Sequence, residues 1–161
     1  MSLAPKPASE SATDMVEVVL PNDANPMGFM LGGAVMHLID IGGAIAAFRH
    51  ARELMVTAAV DGLEFLSPIK VGDFVVLKAR VTAAFTTSLE VEVTVFSEGA
   101  LTGTRQLTSR AYLTFVTLDR NGVRANVPPL MPETEDDKQV QQAAGVRRSE
   151  HLKRRTSKIA G

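Results

Sequence analysis

Apolar and polar residues alternate with period two along Leu89-Glu-Val-Glu-Val-Thr-Val-Phe96 and, with one slip, along Val75-Val-Leu-Lys-Ala-Arg-Val81. Such alternation puts every second side chain on the same face, the pattern of half-buried strands. Ala83 to Ser88 is short enough for a hairpin connection between the two, and Glu98 to Gly103 serves the same purpose before a third β-rich run, Arg105 to Leu118. A long strand is expected over Val56 to Leu66, closing at Ser67-Pro68, and a short first strand over Val16 to Leu20 before Pro21. One stretch lacks the alternation: Ala34-Val-Met-His-Leu-Ile-Asp-Ile-Gly-Gly-Ala-Ile-Ala-Ala-Phe48, opened by Gly32-Gly33, reads as a long apolar helix. A second helix with a frayed end is expected at the C-terminus, where Glu133, Glu135, Asp136 and Asp137 precede Arg147, Arg148, Lys153, Arg154, Arg155 and Lys158, the polarity a helix dipole favours. With one apolar helix and about five strands, the economical α+β arrangement is an antiparallel sheet curled around that helix, with the C-terminal helix peripheral.

The 161 residues, 45% hydrophobic, suit a single domain. Residues 1–13 read as a disordered lead, 14–132 as the domain, and 133–161 as the C-terminal helix and basic tail. The absence of cysteine excludes disulfides, thiol nucleophiles and Cys-rich metal sites, and weakly favours the cytoplasm. The longest apolar run falls short of the roughly 18–20 residues of a membrane span. The net charge of −1 conceals an asymmetry: residues 1–137 hold 10 Lys/Arg and 17 Asp/Glu, residues 138–161 hold 7 Lys/Arg and one Glu. An acidic body with no aromatic residues among its basic ones argues against nucleic acid as a partner. His37, His50 and His151 show no metal-ligand spacing, and no cofactor is expected.

Asp40, in the middle of the apolar helix, is the first candidate for chemistry. An ionisable group inside a buried helix costs several kcal/mol unless it is paired or used. The Gly32-Gly33 pair adds backbone N–H groups at a helix start, with no side chain in the way of a developing negative charge. The bland alternatives are a structural Asp40 paired with an arginine, and an Asn25 that is an ordinary turn residue before Pro26. His37 lies on a nearby helical face, but no nucleophilic serine elbow accompanies a His/Asp pair. Gly42-Gly43 inside the helix weakens it, so close approach of a partner subunit or ligand is the expected reason.

The segments Pro21-Asn-Asp-Ala-Asn-Pro-Met-Gly28, Gly32-Gly33, Leu38-Ile-Asp-Ile-Gly-Gly-Ala44, Val60-Asp-Gly-Leu-Glu-Phe-Leu-Ser-Pro68, Val71-Gly-Asp73, Thr87-Ser88, Tyr112-Leu-Thr-Phe-Val116 and Val127-Pro-Pro-Leu130 occur in order across residues 14–137. Together they resemble the hotdog-fold acyl-CoA thioesterases, in the branch of the bacterial YciA and mammalian cytosolic/brain acyl-CoA hydrolases. The resemblance implies hydrolysis of fatty acyl-CoA by a cytoplasmic homodimer, commonly three pairs to a hexamer, with active sites between protomers. It carries the essential acid to Asp40, the essential amide to Asn25 of the opposite subunit, and the oxyanion donors to Gly32 and Gly33. Leu31 stands where many relatives have histidine. Asp40 would act as general base or as nucleophile; Asn25 would position water or substrate, because an amide does not titrate. For the coenzyme A half the candidates are Thr87, Ser88, Ser67, Arg80, Arg147 and Arg148, and for the acyl pocket Met27, Met30 and Met36. The other reading of the same residues is a non-catalytic acyl-CoA-binding sensor; a hydratase would need a paired Asp and His that the chain does not show.

Overall fold

The computed structural model describes residues 3–161. Its centre is a five-stranded antiparallel sheet in the order β2-β4-β5-β6-β3, formed by β2 (Thr13–Val18), β3 (Leu54–Phe65), β4 (Phe74–Ala84), β5 (Ser88–Glu98) and β6 (Arg105–Leu118). The expected meander runs from β4 through β6, and β3 closes back beside β6. Strand ends fall within a few residues of the periodicity reading; the first strand begins earlier, at Thr13, because its register against β4 runs from Thr13 opposite Ala79 to Val18 opposite Phe74.

The long apolar stretch is α1 (Gly32–Ala51), lying on one face of the sheet. The alternation in β5 and β6 sends Val91, Val93, Val95, Ala111, Leu113 and Phe115 to that face, all fully buried. Gly42 and Gly43 lie closest to it. A Cβ on Gly43 would sit 3.3 Å from the Phe115 ring and one on Gly42 3.3 Å from the Met15 sulfur. The two glycines thus answer to the chain's own sheet rather than to a partner or ligand, correcting the sequence expectation.

The outer face of the sheet is covered by α2 (Glu135–Ile159), which opens on a capping box between Thr134 and Asp137. The helix is unbroken through the basic residues to Ile159, where a frayed end was expected. Beneath it Glu90, 6% exposed, accepts both prongs of the Arg147 guanidinium at 2.8 and 3.0 Å and a 2.6 Å hydrogen bond from Thr82 Oγ1. Arg147 also stacks 3.7 Å from the Tyr112 ring centre.

The N-terminal lead is ordered where described, against the reading of it as disordered; residues 1–2 lie outside the described residues. A two-residue strand, β1 (Lys6–Pro7), pairs in parallel with β7 (Leu130–Met131). Ala8 and Ser11 behind it are buried, and the Lys6 ammonium donates to the His50 carbonyl at 2.9 Å. The His50 ring is fully buried at the end of α1, with Nε2 2.8 Å from the Pro128 carbonyl. Burial pushes its pKa below the usual 6.5, only partly opposed by that hydrogen bond. The unfolded chain therefore takes up a proton that folded His50 refuses, so this contribution to stability is intact above pH 6.5 and is lost as the pH falls below it. The melting temperature is expected to drop more steeply below about pH 6.5 in the parent than in His50→Gln, a difference that thermal scans across pH would register.

Candidate active site

Between β2 and α1 the chain forms a tight loop whose conformation is set by Asn25. The Asn25 side-chain oxygen accepts from the backbone N–H of Met27 at 3.0 Å and of Phe29 at 3.1 Å, and Gly28 takes the positive φ of 82° that the turn requires. Its carbonyl committed to the loop, Asn25 has only the amide N–H₂ left to meet another group. The loop delivers the chain to Leu31, the N-cap of α1, which has no side chain able to accept from the first N–H groups of the helix. Gly32 faces the Phe65 ring, a Cβ there falling 3.3 Å from it, while a Cβ on Gly33 would meet nothing within 4 Å. The amides of Gly32 and Gly33 thus stand at a helix start with neither a cap nor a side chain of their own to shield them.

Asn25 and Gly32 border one cleft of about 400 Å³. Its remaining walls are largely apolar, from Phe29, Met30, Val35 and Ile69, with the Ser67-Pro68 bend on one side. Of the three methionines considered for the acyl pocket, Met30 lines this cleft; Met27 and Met36 are exposed elsewhere.

Asp40 is two helical turns on, about 12 Å along the axis from Gly32. It is exposed, correcting the expectation of burial within the helix. The apolar stretch is hydrophobic on faces the sheet does not cover: Gly33, Met36, His37, Asp40 and Phe48 form an open stripe. Asp40 Oδ1 accepts a 2.6 Å hydrogen bond from Thr57 Oγ1 on β3, the one side-chain partner of the carboxylate among the described residues. His37, three residues away, makes no hydrogen bond to it. Thr57 was not identified from sequence. Its signal is a register, not a motif: Thr57 pairs with Phe115, whose side chain faces α1, and so shares that face.

β3 is the sheet's outer strand next to α1, and its free edge is apolar: Leu54, Val56, Val60 and Phe65 are between 42% and 52% exposed. From Leu54 to Val60 the strand carries neither charge nor proline, and such an edge invites pairing with another strand; Asp61 and Glu64 follow only at its far end.

The coenzyme A candidates fall in several places. Ser67 borders the cleft and donates to the Leu107 carbonyl at 3.2 Å. Ser88 is buried under α2, accepting from Arg148 at 2.9 Å, while Arg148 stacks 4.1 Å from the Phe85 ring centre. Thr87, beside it in the hairpin, offers its backbone carbonyl to the Thr117 N–H. Arg147 is consumed by Glu90, and Arg80 lies 3.5 Å from both Glu92 and Asp136. The Glu90 hydrogen bonds hold the Arg147 guanidinium still more firmly charged, and burial, with Glu92 beside it, pushes the Tyr112 phenol up. These arginines hold α2 to the sheet; the sequence could not show that Glu90 and Glu92, alternating on β5, would pair with Arg147 and Arg80. Among the described residues no three His, Asp or Glu side chains cluster as a metal site, and no helix is long and apolar enough to cross a membrane.

A family model described as the thioesterase superfamily matches residues 27–104. The uncharacterized acyl-CoA thioester hydrolase YkhA of Bacillus subtilis is 40% identical over 91% of this chain and 85% of its own. The chain spans about a third of the mammalian cytosolic acyl coenzyme A thioester hydrolases that it also matches. Among solved structures, an apo-hexameric acyl-CoA thioesterase superposes with a TM-score of 0.90 at 38% identity, over 94% of this chain and 97% of that one. An acyl-CoA hydrolase from Staphylococcus aureus, in complex with butyryl coenzyme A, coenzyme A and coenzyme A disulfide, gives 0.89 at 36% identity over 96% and 94%. The same enzyme has been solved with an aspartate, an asparagine and a threonine each replaced singly by alanine.

Proposed function

The chain belongs to the thioesterase superfamily, and from that premise we propose that it hydrolyses acyl-CoA to a free acid and coenzyme A at sites shared between paired protomers. The observation that carries the proposal is the exposed Asp40 carboxylate, pinned by Thr57 on the open stripe it shares with Met36, His37 and Phe48 and set apart from the Asn25–Gly32 cleft of its own chain. A second copy, paired through the open β3 edge and related by a two-fold axis, brings the acid of one protomer to the cleft of the other, twice over. The S. aureus enzyme supports the assignment of roles: its replaced asparagine, aspartate and threonine are separated by 15 and 17 residues, the separations of Asn25, Asp40 and Thr57 here. The hexameric relative supports assembly of such pairs into a larger ring, and the cytosolic relatives support a cytoplasmic setting. No cofactor is needed for this chemistry.

In this reading the thioester carbonyl oxygen points at the Gly32 and Gly33 N–H groups, where a developing oxyanion gains about 3–4 kcal/mol per well-placed donor. Asp40 takes a proton from water as the water oxygen bonds to the carbonyl carbon. The intermediate collapses with cleavage of the C–S bond, and the departing thiolate recovers the proton. The Thr57 hydrogen bond occupies Oδ1 and leaves Oδ2 to do this work. Asn25 of the partner orients the water through its free amide N–H₂.

Thiol release from a panel of saturated acyl-CoAs tests the activity, free of background because the protein has no cysteine. The same assay tests the sharing of sites. Asn25→Ala and Asp40→Ala, each inactive alone, are expected to recover about a quarter of parental activity when co-assembled in equal amounts, since half the pairs then hold one intact site. No recovery in verified mixed pairs would place both residues in one protomer's site.

A further inference from the structure

Two buried side-chain polar atoms among the described residues have no hydrogen-bond partner, His50 Nδ1 and Ser109 Oγ. His50 lies at the far end of α1, in the packing already described. Ser109 lies in the wall of the cleft that contains Gly32 and Asn25. It continues the alternation of Ala111, Leu113 and Phe115 on the helix-facing side of β6 and pairs across the sheet with Val95. In a row of apolar side chains it is a hydroxyl where an alanine would pack as well. Thr117, at the other end of the same row, has its hydroxyl on the Met55 sulfur at 3.4 Å. Ser109 has nothing. A buried polar group without a partner is destabilising, and where one persists beside a ligand cleft, the ligand is the natural missing partner.

The character of the cleft narrows which part of the ligand that is. Phe29, Met30, Val35 and Ile69 make a wall that suits an alkyl chain, with Asn25, Ser67 and Thr108 as the polar groups beside it. We infer that Ser109 determines specificity by hydrogen-bonding an oxygen carried on the acyl chain, so that the favoured substrates are acyl-CoAs with a hydroxyl or keto group close to the thioester. The inference rests on the thioesterase reading above and refines it. A site that holds an unpaired hydroxyl favours the substrate that supplies the partner, because the bond gained there is one that the protein alone does not make.

The test compares 3-hydroxyacyl-CoA with plain acyl-CoA in matched short, medium and long pairs, using parent and Ser109→Ala. The parent is expected to favour the hydroxylated member of the best-used pair by about tenfold in kcat/KM, in line with one hydrogen bond. Ser109→Ala should lose the preference, the ratio of kcat/KM for the two members of a pair falling about tenfold to near one, with an unchanged or raised melting temperature because no internal bond is broken. Three results overturn the inference while leaving the thioesterase reading intact: a parent indifferent to the hydroxyl, equal losses on both substrates, or a lowered melting temperature that reveals an internal partner. A parent that releases no thiol from any member overturns the thioesterase reading itself.

Discussion

Asp40→Asn is expected to yield a folded protein that binds acyl-CoA as the parent does and releases thiol 10²–10⁴ times more slowly, the range typical for loss of a positioned general base. The substitution preserves volume, and Asp40 is exposed, so the core built from β4, β5 and β6 is untouched. An asparagine oxygen can still accept from Thr57, so geometry survives while basicity goes. Turnover and binding need separate measurement, by thiol release and by calorimetric titration with a coenzyme A thioether that cannot be cleaved. Binding retained with turnover lost marks an enzyme whose acid is Asp40. Equal turnover in both proteins would move the chemistry to another group, and a parent that binds without turnover would be an acyl-CoA sensor. Single-turnover hydrolysis in ¹⁸O-water fixes the route: label in the free acid follows from a water activated by Asp40, whereas label in the Asp40 carboxylate follows from an anhydride.

The second large effect concerns stability. Arg147→Ala strips the carboxylate of Glu90, 6% exposed in the parent, of both its charged donors while α2 still lies over it. Breaking a buried pair from one side costs about 3–5 kcal/mol, and the lower end applies here because the Arg147 side chain retains 26% exposure. At about 2–4 °C per kcal/mol for a chain of this size, the melting temperature should fall by roughly 6–12 °C. The double variant Arg147→Met, Glu90→Gln removes both charges together and is expected to recover most of the loss. A single variant that melts with the parent would mean that the remaining contacts hold α2 in place. Neither variant touches the cleft, so catalysis at low temperature should be unaffected.

The strands were legible because each buries one face: residues such as Glu90 and Glu92 between Leu89, Val91 and Val93 write the period directly into the sequence. The helix was legible by its unbroken apolarity, and its acid by being the one charge within it. Four things were not legible. Asp40 was expected to be buried because apolarity does not distinguish a face turned to the chain's own sheet from one left open. Thr57 carried no motif, since its place beside Asp40 is fixed by strand register, which a single strand's sequence does not encode. The N-terminal lead was misjudged because its order comes from a two-residue pairing of Lys6–Pro7 with Leu130–Met131, too short for any periodicity and too distant along the chain for any local signal. The partner of Arg147 was hidden for a related reason: it and Glu90 lie 57 positions apart.

The 20-residue α1 carries the Gly32 and Gly33 amides at its first turn and the Asp40 carboxylate two turns on, in one rod packed at Gly42 and Gly43 against the sheet. If protomers pair as proposed, the first turn of that helix and its Asp40 would serve different sites. One helix would then contribute to two reaction centres, so a change that tilts or frays α1 should be felt in both sites of a pair rather than in one.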